Sequence, residues 1–186
     1  MAKDSISILY DLFADLLDYP TLATSLKAGH CYERLQQFRP DVAPLLESFY
    51  RRVEEQSPEQ MQELYTTTFD MQPVCYPYVG YQLFGESYKR GAFMAQLNEA
   101  YHACSYSPGQ ELPDHISVVL HFLGMDSARR QDDFGRALLF EGVVPALEKM
   151  AESLGRQAKN PYADVVSALL LAVTDKSEKE VPHEHA

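Results

Sequence analysis

Cysteine is sparse in this chain of 186 residues: Cys31, Cys75 and Cys104 are the three it has, and none falls at CxxC spacing. An odd, scattered set excludes a disulfide framework and suits a reducing compartment. Long apolar runs are missing too. The longest, Ala168 to Val173, is far short of the ~20 residues needed to cross a bilayer. The N-terminal stretch carries Asp11, Asp15 and Asp18 inside its apolar pattern, so it reads as an amphipathic helix and not as a secretory signal. A cytoplasmic protein with no stable membrane insertion is expected. Basic charge is in deficit, 16 Lys and Arg against 27 Asp and Glu, for a net charge of −11. That balance opposes nucleic acid and anionic membranes. It would favour a basic partner such as an arginine-bearing peptide, but on charge alone solubility is the better account.

Catalytic signatures are absent as well. There is no GxSxG, P-loop or GxGxxG. His30-Cys31 and His102-x-Cys104 are isolated pairs, and His183-x-His185 sits near the C-terminus, so no metal or other cofactor is expected. Asp114 and His115 with Glu86 resemble an acid/base set but lack a nucleophile or phosphate cradle. Cys75 has no positive neighbour in sequence to activate it. The expectation is a protein that is not an enzyme.

What the chain does have is helical periodicity. Ile6, Leu9, Tyr10, Phe13, Leu16 and Leu17 follow the i, i+3, i+4, i+7 rule, with Pro20 as the stop. Val42, Leu45, Leu46, Phe49 and Val53 repeat the pattern. Ser57-Pro58-Glu59-Gln60 reads as a capping box opening a helix toward Phe69, and Asn160-Pro161 opens another over Tyr162, Val165, Val166, Leu169, Leu170 and Val173. No segment alternates long enough to suggest a sheet. The fold class is therefore all-α: a single-domain helical bundle over 1–174, followed by a flexible acidic, histidine-containing tail over 175–186. A chain this long buries ~70% of its extended surface, enough for a core without staples. Two breaks stand out. Met71 to Leu83 holds Pro73, Pro77 and Gly80 together with Tyr76, Tyr78 and Tyr81, and Gly142 to Pro145 predicts a kink or two abutting helices.

Two helices carry polar groups on apolar faces. In one, from near Phe84 to about Cys104, Phe93, Met94, Leu97, Ala100, Tyr101 and Cys104 form the apolar arc. Glu86 and Arg90 fall in the middle of it, four apart, with the acid first as pairing prefers. In the next, from about Pro113 to Met125, only Asp114, Ser117 and His121 make a polar stripe, and His115 faces the apolar side. Pro113 and Asp114 suit a first turn. Each set has two readings. It is either a structural ion pair, dipole partner and core histidine, or a polar patch lining a groove.

These same residues carry a family resemblance. Tyr65-x-x-x-Phe69-Asp70, then Leu83-Phe84-Gly85-Glu86-Ser87-x-x-Arg90-Gly91, then Glu111-Leu112-Pro113-Asp114-His115 with Val119 and Phe122-Leu123, resembles the NarJ/TorD/DmsD redox-enzyme maturation chaperones, nearest the NarJ-like branch. The resemblance implies an all-helical chaperone without catalysis. It implies binding of the N-terminal peptide of a molybdopterin oxidoreductase catalytic subunit, a twin-arginine signal or its remnant. Such a chaperone holds that subunit for molybdenum cofactor insertion before export or membrane docking, with molybdenum cofactor biosynthesis proteins as further partners. The peptide-binding positions it implies are Tyr81, Phe84, Gly85, Glu86, Tyr88 and Arg90, then Pro113, Asp114 and His115, with His121 on the same polar stripe. The competing readings are a helical adaptor for other partners and, behind it, an acid/base enzyme.

Overall fold

The computed structural model describes residues 4–71, 73–156 and 159–174. Its first helix, α1 (Ser5–Leu16), starts where Asp4 accepts the Ser7 N–H at 2.8 Å, and it buries Leu9, Tyr10, Phe13 and Leu16. It stops at Leu16, short of Pro20, and Ile6 is half-exposed rather than in the core. The next two, α2 (Thr24–Phe38) and α3 (Ala43–Glu55), pack against each other. The following helix, α4 (Pro58–Phe69), opens with both arms of the capping box: Ser57 Oγ accepts from Gln60 N, and Gln60 Oε1 accepts from Ser57 N.

The middle of the chain departs from the sequence reading. The helix expected from near Phe84 to about Cys104 starts later, as α6 (Tyr88–Ala103), and the Pro/Gly-broken segment before it ends in a short helix of its own, α5 (Val79–Phe84). Between them Gly85 adopts φ +61°, ψ −156°, a region essentially closed to residues with a Cβ. The helix expected from Pro113 is α7 (Ile116–Leu123), so Pro113 and Asp114 precede it instead of forming its first turn. Seven of its eight residues are buried, the broad apolar arc as its pattern predicts and Ser117 of the polar stripe besides. Two short helices follow, α8 (Ser127–Gln131) and α9 (Asp133–Ala137).

At the Gly142–Pro145 break the chain runs as a π-helical segment, Leu138–Val143, and then as α10 (Val144–Gly155) with Pro145 in its first turn. Proline offers no N–H to the preceding turn, and the wider π register absorbs that loss. The last described helix is α11 (Tyr162–Thr174), where Asn160 Oδ1 accepts the Tyr162 N–H at 3.0 Å. The tail expected from 175 onward, with His183 and His185, lies outside the described residues.

The core is built by α1 against α2 and α7, α3 against α2 and α11, and α11 against α10. Its aromatic centre joins Phe49, Tyr65, Phe69 and Tyr162 at ring distances from 4.9 to 5.9 Å. Arg130, 5% exposed, fastens the start of α1 to α8: it donates to Ser7 Oγ at 2.8 Å, to the Leu123 carbonyl at 3.0 Å and to Asp4 Oδ1 at 3.0 Å. A guanidinium buried in this way is tolerable only because its donors are met. Among the described residues the sole β-type pairing is an isolated antiparallel bridge between Tyr78 and His115, and no helix is long and apolar enough to cross a membrane. The molecule is a helical bundle in one domain.

Candidate functional site

The Tyr78–His115 bridge is where the site begins. The Val79 N–H donates to the Asp114 carbonyl at 2.7 Å, and the Ile116 N–H donates to the Pro77 carbonyl at 2.8 Å. These bonds clamp the lead-in to α5 onto the lead-in to α7, bringing together two segments about thirty-five residues apart in sequence. The Tyr101 hydroxyl donates to the Pro113 carbonyl at 2.8 Å and fixes that lead-in from α6.

Inside the clamp lies an ion pair. Arg90 donates through Nε to Asp114 Oδ2 at 2.8 Å and through Nη2 to Asp114 Oδ1 at 3.2 Å. The Asp114 side chain is 0% exposed and that of Arg90 16%. The two-point fork meets both carboxylate oxygens, as a buried charge requires. The bond to Asp114 raises the Arg90 guanidinium further above its already high range. Arg90 also sits over the rings of Tyr78 and Tyr81, at 5.1 and 5.7 Å. The helix-neighbour pairing of Glu86 with Arg90 is thus corrected. Glu86 precedes α6, is exposed, and acts on Arg90 only through space, while Asp114 holds it.

His115 caps α7. Its Nδ1 accepts the Ser117 N–H at 3.2 Å, and Nε2 faces the Tyr65 hydroxyl at 3.4 Å, which itself donates to the Leu17 carbonyl. These partners put the ring proton on Nε2 and leave imidazole neutral. Burial lowers the His115 pKa from 6.5, outweighing the pull of Glu111, Asp18 and Asp114. Below that pH the unfolded chain takes up a proton that the folded chain refuses, so stability falls as pH drops through and below 6.5. In urea unfolding at about pH 7.5 and about pH 5.5, His115→Asn, which keeps a cap acceptor, is expected to remove part of this loss. Identical losses in variant and wild type would rule out His115 as the source.

The outer side of this clamp is aromatic. Tyr76 and Tyr81 lie 3.9 Å apart between ring centres with their planes tilted by 31°, and Phe84 meets Phe93 edge-on at 5.9 Å. Tyr76 is 36%, Phe84 39% and Tyr88 84% exposed, with exposed Glu86 between the last two in sequence. The Tyr76 hydroxyl, ahead of the nearby Glu86 charge, raises the Tyr81 phenol. Tyr78 points the other way: burial, then Glu111, whose Oε1 lies 3.4 Å from its hydroxyl, pushes it up to about 12.

The structure therefore brings Tyr81, Arg90, Pro113, Asp114 and His115 together in one clamp, with Phe84 against Phe93, while Gly85 and Glu86 lie on the turn that leads into α6 and Tyr88 opens that helix. Of these, Asp114 and His115 are buried, and Gly85 serves the backbone. His121 stands apart, with Nδ1 3.1 Å from Asp11 Oδ1 on α1. It lines a separate cleft of about 420 Å³ with Asp11, Asp18, Tyr106, Glu111 and Met125. The residues missed were Gly80, Tyr76, Tyr78 and Glu111. The clustering of tyrosines in a Pro/Gly-broken segment was the available signal for the first three. Burial pushes the Cys75 thiol up to about 12, which makes it a packing group. Among the described residues no three metal-ligating side chains converge.

Comparison with known proteins agrees with this architecture. Residues 33–164 match the family described as nitrate reductase delta subunit. The chain is 28% identical over 133 residues, 71% of its length and 69% of the relative's, to the protein assigned as nitrate reductase molybdenum cofactor assembly chaperone NarJ in Bacillus subtilis. It is also 28% identical over 163 residues to the nitrate reductase-like protein NarX of Mycobacterium tuberculosis, spanning 87% of this chain but 24% of NarX. In fold it is similar to a crystal structure of a protein assigned to redox enzyme maturation from Archaeoglobus fulgidus, with TM-score 0.64 at 22% identity, covering 94% of this chain and 98% of that one. The chain belongs to the nitrate reductase delta subunit (NarJ) family of chaperones, assembly proteins without a catalytic reaction of their own.

Proposed function

We propose that this chaperone acts in the cytoplasm, binding the N-terminal peptide of a molybdopterin oxidoreductase catalytic subunit, a twin-arginine signal or its remnant. In this reading it holds the subunit for molybdenum cofactor insertion before export or membrane docking, alongside the proteins that build that cofactor. The observation that carries the proposal is the outward aromatic surface of α5 and α6, where Phe84 and Tyr88 stay exposed beside the Glu86 carboxylate. Exposed rings on a helical surface with acid among them suit a peptide that has one apolar and one basic side. The net charge of −11 raises the encounter rate with such a peptide.

The roles divide by burial. Tyr81, Phe84, Glu86 and Tyr88 meet the peptide, and Gly85, Arg90, Pro113, Asp114 and His115 hold those groups in place. His121 borders the separate cleft that holds Asp11, Asp18 and Glu111, whose charge suits the peptide's basic end. The B. subtilis relative, assigned to nitrate reductase cofactor assembly, supports a nitrate reductase-type client.

Calorimetric titration with synthetic N-terminal peptides of the molybdopterin oxidoreductases encoded in the same genome tests this. At least one is expected to bind more tightly than its scrambled version. If none does while the protein is folded, the proposal fails.

A further inference from the structure

Gly80 is the second residue of α5, a position where alanine is the better helix former. A Cβ placed there would lie 2.7 Å from Asp114 Oδ2, 2.9 Å from Phe93 Cδ1 and 3.1 Å from Arg90 Cγ. The backbone of α5 therefore rests directly on the Arg90–Asp114 bridge. Of the three neighbours, the Phe93 ring is only partly buried and so has an open side. Asp114 has none, since it is fully buried and both its oxygens are held by Arg90.

A six-residue helix has too few internal hydrogen bonds to stand alone, so what it lies on sets its orientation. Lifting α5 would carry Tyr81 away from Tyr76 and Arg90, and Phe84 away from Phe93. We infer that Gly80 is a positioning residue of the peptide surface: by lacking a Cβ it lets α5 seat on the Arg90–Asp114 bridge, and that seating sets the outward register of Tyr81 and Phe84. The inference rests on the peptide-binding reading above and adds what that surface depends on beneath.

Three variants test it: Gly80→Ala; Arg90→Lys, which keeps the charge but loses the two-point fork; and Gly91→Ala, whose added Cβ meets nothing within 4 Å. Amide hydrogen exchange is followed by mass spectrometry on the folded proteins. Gly80→Ala is expected to speed exchange across 79–84 by about fivefold or more while α10 and α11 keep wild-type rates. Titration then uses the tightest-binding genome-encoded N-terminal peptide and the same peptide with its arginines replaced by alanine. Gly80→Ala is expected to weaken both by a similar factor, about tenfold or more, with Gly91→Ala at wild-type affinity. A role in stability alone would lower the melting temperature and leave the affinity of the folded protein unchanged.

Wild-type affinity and wild-type exchange in Gly80→Ala would overturn the inference. So would a loss confined to the arginine-bearing peptide, because it would mark direct charge contact in place of positioning. Should Gly80→Ala not fold, Arg90→Lys carries the same two expectations and the same refutations. Wild-type protein that binds no peptide overturns the peptide reading and this inference together. Wild-type binding that Gly80→Ala and Arg90→Lys retain in full overturns the inference alone.

Discussion

Arg90→Met is expected to lower folding stability by about 3–5 kcal/mol, because it strands the Asp114 carboxylate in a fully buried position. The bridge is not an ornament of the surface. Asp114 has no solvent to turn to, and its carbonyl is also tied to the Val79 N–H. What is lost is less the attraction within the pair than the satisfaction of a desolvated charge. The double variant Arg90→Met/Asp114→Leu should therefore recover much of the deficit, since a well-packed apolar pair often matches a buried ionic one. Urea denaturation of the wild type and both variants measures this directly. A single-variant loss below about 1 kcal/mol would mean that the pair behaves as an exposed bridge, and would refute its role as the centre of the clamp.

The second large effect is on binding. Phe84→Ala and Tyr88→Ala are each expected to weaken the best N-terminal peptide by about thirtyfold, the size of loss at an aromatic anchor. Folding stability should barely change for Tyr88→Ala, within about 0.5 kcal/mol, because that side chain is 84% exposed. Phe84 also packs on Phe93, so its truncation carries a modest stability cost besides. Calorimetric titration alongside thermal melts separates the two quantities. Unchanged affinity in both variants would remove the aromatic surface from the proposed site. Together with the Arg90 variant, these two test the proposed division of the site into a part that holds and a part that touches.

That division was only half legible in the residue order. The capping box at Ser57, the Asn160 turn into α11 and the break before Pro145 could all be read directly, because each depends on groups within a few residues of one another. The broad apolar arc of α7 likewise announced a central helix. The spacing of Glu86 and Arg90 pointed to a pair along one helix, and it misled. Gly85 turns to positive φ there and ends α5, so Glu86 belongs to no helix, and Arg90 finds its partner 24 residues onward. Similarly, Pro113 had the chemistry of a first turn, yet α7 begins three residues later. His115 becomes its cap, with Tyr65 and Tyr78 against the imidazole.

The sequence by itself determined an acidic, all-helical bundle and the family motifs around Glu86 and Asp114. Only the tertiary structure decided which of those residues face outward and which lock the clamp. The reason is physical: helix periodicity and caps are short-range interactions written in neighbouring residues. The burial of Asp114, the reach of Arg90 and the bare backbone of Gly80 depend on segments that meet only when the chain is folded.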